Sequence, residues 1–153
     1  MTLVDANVLL HAYNASSSHH SAARQWLERA FAGPEPVCLA WATILAFLRI
    51  GTNPRAFPEP YSLEEATALV SEWLSVPSLR VLDPGERHWE ILRSLLPAAQ
   101  ARGPLVMDAH LAALAIEHGA ILCSTDRDFT RFPGLRWRNP IEAHGVSASH
   151  AVS

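Results

Sequence analysis

Thr2-Leu3-Val4-Asp5-Ala6-Asn7, at the head of the chain, reads as a short buried strand that ends on a carboxylate and passes directly into a helix. Asn7 is placed to cap that helix, whose apolar residues include Val8, Leu9 and Leu10. The same alternation recurs down the chain. Val37 to Ala40, Leu79 to Leu82 and Ala120 to Cys123 are three further apolar runs of strand length, and Leu135 to Trp137 is a fifth at the sheet edge. Short apolar strands separated by helices point to an α/β fold with a parallel sheet covered on both faces.

The helices announce themselves by spacing and punctuation. After the polar Ser16 to Ser18, Trp26, Leu27, Ala30 and Phe31 share a face, and Gly33-Pro34 ends the pattern. Trp41, Ile44, Leu45 and Leu48 fall at i, i+3, i+4 and i+7, ahead of Gly51 and Asn53-Pro54. Ser62 and Glu65 form a capping-box pair before Ala66, Leu69, Val70, Trp73 and Leu74. Asp83-Pro84-Gly85 makes a turn into a helix with Leu92, Leu95 and Leu96, broken at Gly103-Pro104. Asp108 is expected to open a very apolar helix, His110 to His118, closed by Gly119. Four tryptophans, Trp26, Trp41, Trp73 and Trp89, are read as core residues. No repeat or linker interrupts the series, so one domain is expected over residues 1–142, followed by a small polar tail, 143–153, expected to fray.

The bulk numbers fit a folded protein: 49% of the 153 residues are apolar and 18% charged. No apolar run approaches the roughly 18–20 residues of a membrane span. The first strand follows Met1 directly, leaving no room for a signal peptide, so a cytoplasmic protein is expected. Cys38 and Cys123 fall in strands and are read as buried free thiols. The eight histidines show no metal-ligand spacing. A net charge of −3 gives no general footprint for nucleic acid, but all twelve basic residues are Arg. Arg127, Arg131, Arg136 and Arg138 cluster near the last acidic pair, either as a phosphate-contacting rim or as a solvated face.

The aspartates carry the chemistry. There are five; Asp83 sits in the turn, and the other four are Asp5, Asp108, Asp126 and Asp128. In a parallel sheet, ligands bind beyond the carboxyl ends of the strands. Asp5 ends the first strand and Asp126 lies just past the fourth. Asp108 reaches the same edge if the segment before it crosses back over the sheet. Singly, each has an ordinary reading as a cap or turn residue. Brought together, carboxylates repel unless they share protons or hold a cation, so the set points to a divalent metal and to phosphate chemistry.

Asp5-Ala-Asn7, Phe47-Leu48-Arg49 with Thr52-Asn53-Pro54, Asp108-Ala-His-Leu-Ala-Ala-Leu-Ala and Ser124-Thr125-Asp126-Arg127-Asp128-Phe129 together resemble a PIN domain. More narrowly, they resemble the VapC-type toxins of bacterial VapBC toxin–antitoxin modules. The likeness runs from residue 2 to about 141. It implies a three-layer α/β/α fold with strand order 3-2-1-4-5 and a Mg²⁺-dependent (or Mn²⁺-dependent) endoribonuclease. It further implies a VapB-type antitoxin as partner, RNA as substrate and a homodimer. By motif, Asp5 and Asp108 would be the principal metal ligands and Asp126 would complete the site, with Asp128 supporting it. Asn7 would orient Asp5, and Thr125 would hydrogen-bond within the site or to substrate phosphate. Arg49, Arg55, Arg127 and Arg131 are candidates for contacting RNA. The sequence departs from the family pattern at Ala46, where a glutamate is usual, which leaves the number of metal ions open at one or two.

Two rival classes share features with this chain. An aspartyl-phosphate enzyme also places an Asp at the end of its first strand, but relies on a lysine, and this chain has none. A catalytically weakened PIN domain, acting mainly as an antitoxin- or RNA-binding module, is the alternative that Ala46 keeps open.

Overall fold

The computed structural model describes residues 1–142; the polar tail from 143 lies outside them. Five strands, β1 (Thr2–Val4), β2 (Val37–Leu39), β3 (Leu79–Val81), β4 (Ile121–Cys123) and β5 (Trp137–Arg138), form one sheet of order β3-β2-β1-β4-β5. Every pairing is parallel. Six helices connect them: α1 (Ala6–Ala12), α2 (His20–Ala32), α3 (Trp41–Gly51), α4 (Leu63–Ser75), α5 (His88–Ala98) and α6 (Pro104–His118). The sheet order and class match the sequence reading.

Side chains alternate across a strand, and that splits the core into two layers. Val4, Val37 and Leu39 pack with α1 to α4 on one face, around Leu9, Leu27, Phe47 and Trp73. Leu3, Cys38 and Leu122 face the other way, into α5 and α6. The result is a three-layer α/β/α sandwich. Cys38 and Cys123 are both buried and unbridged, as read, and burial pushes the Cys123 thiol up to about 12. Among the described residues, no helix is long and apolar enough to cross a membrane.

Several expectations need correction. Asn7 does not cap α1; Asp5 does, its side chain accepting from the Ala6 N–H, and Asn7 is free for other bonds. Asp108 does not open α6, which begins a turn earlier at Pro104, because a proline suits the first helical position. On α3 the buried residues are Thr43, Ile44, Phe47 and Gly51, whereas Trp41 and Leu45 are 51% and 60% exposed. Trp89 is also exposed and Leu74 nearly half so, and only Trp73 of the four helical tryptophans is fully buried. Trp73 spends its polar handle internally, donating from Nε1 to the Tyr13 hydroxyl at 2.9 Å. The fifth strand is Trp137–Arg138, a residue or two beyond the stretch expected. The Ser62–Glu65 capping box and the Gly119 stop, at φ 70°, form as read.

Candidate active site

Strands β1 and β4 lie side by side with Val4 opposite Cys123, so the next residues, Asp5 and Ser124, emerge together at the carboxyl edge. Ser124 is fully buried and uses its hydroxyl completely. Its Oγ donates to Asp5 Oδ2 at 2.8 Å and accepts from Asn7 Nδ2 and the Asp126 N–H, both at 3.0 Å. Asn7 closes the ring by accepting the Thr125 N–H at Oδ1, at 3.2 Å. Asp126 in turn accepts the Asp128 N–H at 2.9 Å, capping a 3₁₀ turn, Arg127–Arg131. Asn7 thus ties the first strand end to the fourth. Thr125 takes part through its backbone.

Asp108 enters from α6, one turn in from the Pro104 start, and stands between two clefts. The first, about 530 Å³, lies between α3 and α6 and is lined by Asp5, Thr43, Leu45, Ala46, Arg49, Met107 and Asp108 among others. The second, about 410 Å³, is more polar and is lined by Gln100, Arg102, Asp108, Asp126, Asp128 and Arg131. Asp5 and Asp108 therefore both line the first cleft, and Asp108, Asp126 and Asp128 the second. α3 adds no carboxylate, since Ala46 presents only a methyl group to the first cleft.

The charges feel one another. Burial, followed by the nearby charges of Asp5, Asp126 and Asp128, pushes the Asp108 carboxyl up to about 6. Asp5 is raised too, mainly by burial and slightly by Asp126, although its bonds from Ser124 and the Ala6 N–H pull the other way. A cation would relieve this strain of like charges. All the donors are hard carboxylate oxygens, which suits Mg²⁺ or Mn²⁺ rather than a thiolate- or imidazole-seeking metal. Among the described residues, no three His, Cys, Asp or Glu side chains close around one point. An ion held by these residues would keep much of its own water, as Mg²⁺ ordinarily does.

The candidate arginines separate. Arg49 and Arg131 line the two clefts. Arg55 sits on the loop after α3, its N–H bonded to Asn53 Oδ1, and lines neither. Arg127 reaches Glu142 at 3.4 Å, and Arg136 donates to the Gly119 carbonyl. Ser124 and Arg102 escaped the sequence reading. Ser124 had a signal: it follows the apolar run of β4 as Asp5 follows that of β1. Arg102, far from the late arginine cluster, had none.

Comparison with known proteins agrees with this architecture. The PIN domain family model matches residues 2–135. Ribonuclease VapC37 of Mycobacterium tuberculosis is 46% identical over 140 residues, covering 92% of this chain and 97% of that protein. Among solved structures, VapBC2 of Rickettsia felis bound to a promoter DNA fragment superposes with a TM-score of 0.64 at 20% identity, covering 90% of this chain and 97% of that one. The sarcin-ricin loop cleaving toxin VapC20 of Mycobacterium tuberculosis gives 0.64 at 19%, covering 89% and 99%. With the family model, a close sequence relative and the sheet order in accord over nearly its whole described length, the chain belongs to the PIN-domain family, on its VapC branch.

Proposed function

We propose that this chain is a divalent-cation-dependent endoribonuclease, the toxin of a VapBC-type pair, hydrolysing phosphodiester bonds of RNA. The observation that carries this is that Asp5 and Asp108 line one cleft, with Asp108 pushed up to about 6 by burial and three neighbouring carboxylates. The names of the similar proteins, ribonucleases of the VapC group, support the choice of RNA.

Asp5 and Asp108 would hold the ion, with Asp126 completing the set and Asp128 supporting it directly or through water. When bound, such an ion supplies a water of lowered pKa and positive charge on the phosphoryl oxygens. The chain's own work is to keep the carboxylates in place. Ser124 fixes one oxygen of Asp5 and the Ala6 N–H fixes the other, while Asn7 locks the Thr125 turn. Arg49 and Arg131, which line the two clefts, would bind backbone phosphates, Arg131 by exchanging its contact with Asp128. A VapB-type antitoxin is the proposed partner and a homodimer the proposed assembly. The exposed Trp41, Leu45 and Met107 beside the first cleft supply apolar surface for such contacts.

A second reading, a weakened PIN domain that mainly binds, is favoured by Ala46 standing in the cleft wall without charge. A cleavage assay on single-stranded RNA with Mg²⁺, Mn²⁺ or EDTA separates the two. Cleavage with either ion, abolished by EDTA and by Asp5→Asn or Asp108→Asn, supports the enzyme. Undiminished cleavage in EDTA, or in both variants, overturns it. No cleavage at all by the intact protein leaves the binding module.

A further inference from the structure

A site built from carboxylates repels the polyanion it is meant to cut. The chain carries a net charge of −3, so attraction of RNA to this edge has to come from cations at the site itself. Of the twelve arginines, three line the two clefts, and they do not lie together. Arg49 stands on the first cleft, between α3 and α6. Arg102 and Arg131 stand on the second, with Asp108 common to both.

The two arginines of the second cleft differ in availability. Arg131 is engaged, with its Nε 3.9 Å from Asp128 Oδ1. Arg102 is exposed and, among the described residues, its guanidinium has no ion pair or hydrogen bond. Its backbone, by contrast, is pinned. Gln100 at φ 52° and Gly103 at φ 55° bracket it in the left-handed region, and the Arg102 carbonyl accepts the Leu105 N–H at 3.2 Å. The Ala101 N–H returns to the Leu96 carbonyl at 2.9 Å. A loop that fixes its backbone through two left-handed residues, one of them not glycine, holds an unpaired cation at the mouth of a cleft with three carboxylates.

We propose that Arg102 is a positioning residue for the substrate. It binds a phosphate of single-stranded RNA on the second-cleft side of Asp108, while Arg49 binds the strand on the first-cleft side. This inference rests on the proposed ribonuclease function and deepens it. The strand crosses Asp108 from one cleft to the other, with the scissile phosphate between the two arginines. Such contacts fix register without reading sequence. Arg102 touches a flanking phosphate rather than the reacting atoms, so it governs substrate affinity and leaves the chemical step alone.

The test compares wild type, Arg102→Gln and Arg102→Lys on single-stranded oligoribonucleotides with Mn²⁺. Arg102→Gln is expected to raise KM about tenfold, the size of one exposed charge-assisted contact, with kcat and Tm unchanged. Arg102→Lys restores much of that loss. In an Asp5→Asn background, binding read by fluorescence anisotropy should lose about 0.7 from its slope against log salt when Arg102 becomes Gln. Oligonucleotides shortened from one end should lose their sensitivity to Arg102→Gln, whereas those shortened from the other end should keep it. Equal KM and salt slope in wild type and Arg102→Gln, or a fall in kcat or Tm, overturns the role of Arg102 alone. Failure of the wild type to bind or cleave RNA overturns the underlying function as well.

Discussion

The Ser124 hydroxyl donates to Asp5 Oδ2 at 2.8 Å, and through this bond the end of the fourth strand sets the carboxylate at the end of the first. The same oxygen accepts from Asn7 and from the Asp126 N–H, so a single buried hydroxyl serves three residues. Partners of this kind orient the side chains that would hold a metal.

Ser124→Ala should therefore damage both stability and activity. It leaves the Asn7 amide, the Asp126 N–H and one Asp5 oxygen without a partner, at a cost of about 1–3 kcal/mol per group that stays dry. The melting temperature falls by about 2–4 °C for each kcal/mol in a chain of this size. Cleavage falls about 10–100-fold, as for other changes beside metal ligands. Scanning calorimetry with a parallel RNA-cleavage assay checks it. A variant with wild-type melting and rate would show that the hub is dispensable.

Asp108→Asn is expected to separate stability from function. In the metal-free protein the Asp108 carboxyl rises from 3.8 to about 6, chiefly through burial and then through Asp5, Asp126 and Asp128. A carboxyl whose folded pKa is raised favours the fold while protonated, below 3.8, and that contribution is lost as pH climbs through about 6. Asparagine removes the loss. In EDTA, Asp108→Asn should melt higher than wild type at pH 7 and show a flatter melting profile between pH 4 and 6, while cleavage with Mg²⁺ disappears. A variant that melts lower than wild type throughout that range contradicts the charge argument.

Much of this was readable in advance, for physical reasons that also explain the misses. Apart from Thr2 at the start of β1, strands β1, β2 and β4 are short apolar runs, as a doubly covered parallel sheet requires. Helix faces were harder. The i, i+3, i+4, i+7 pattern of Trp41, Ile44, Leu45 and Leu48 is periodic, but an adjacent stripe through Thr43, Ile44 and Phe47 is the one that meets the sheet. Two overlapping apolar stripes cannot be ranked by periodicity alone. Asn7 was read as a cap because its residue type caps well, but Asp5, two residues earlier, satisfies the helix and frees Asn7 for the site. The acidic residues were legible as strand-end and helix groups; the Ser124 hub depended on the register between β1 and β4, which the sequence does not carry.

Glu117, in the last turn of α6, gives a second pH signature. Burial pushes its carboxyl up, but the N–H groups of Gly85 and Arg87, at 2.8 and 3.0 Å, outweigh that and hold it below its usual value. A depressed carboxyl stabilises the fold above its ordinary pKa and loses that contribution as pH falls. Glu117→Gln should lower the melting temperature at pH 7 and reduce the further loss on acidification from about pH 5 to 3. Parallel pH–melting curves for the two proteins would contradict it. Because α6 carries both Glu117 and Asp108, cleavage kinetics of the variant at pH 7 also report whether loosening the turn before α5 reaches the site.

Thr43→Val should stabilise the protein. Thr52 and Thr67 return their hydroxyls to carbonyls one turn back, at Leu48 and Leu63. Thr43 does not. The Leu39 carbonyl already receives the Leu82 N–H, and the Ala40 carbonyl receives two helical N–H groups. Among the described residues, Thr43 Oγ1 is left buried without a partner, at the first cleft. Valine keeps the shape and removes the unmet hydroxyl, for a gain of about 1 kcal/mol. The melting temperature then rises by about 2–4 °C. A fall instead of a rise, measured by denaturant titration with and without Mn²⁺, would mean that the hydroxyl has a partner in solution. If that fall were larger in Mn²⁺ than in EDTA, the partner would belong to the hydrated ion, and α3 would contribute to the site despite Ala46.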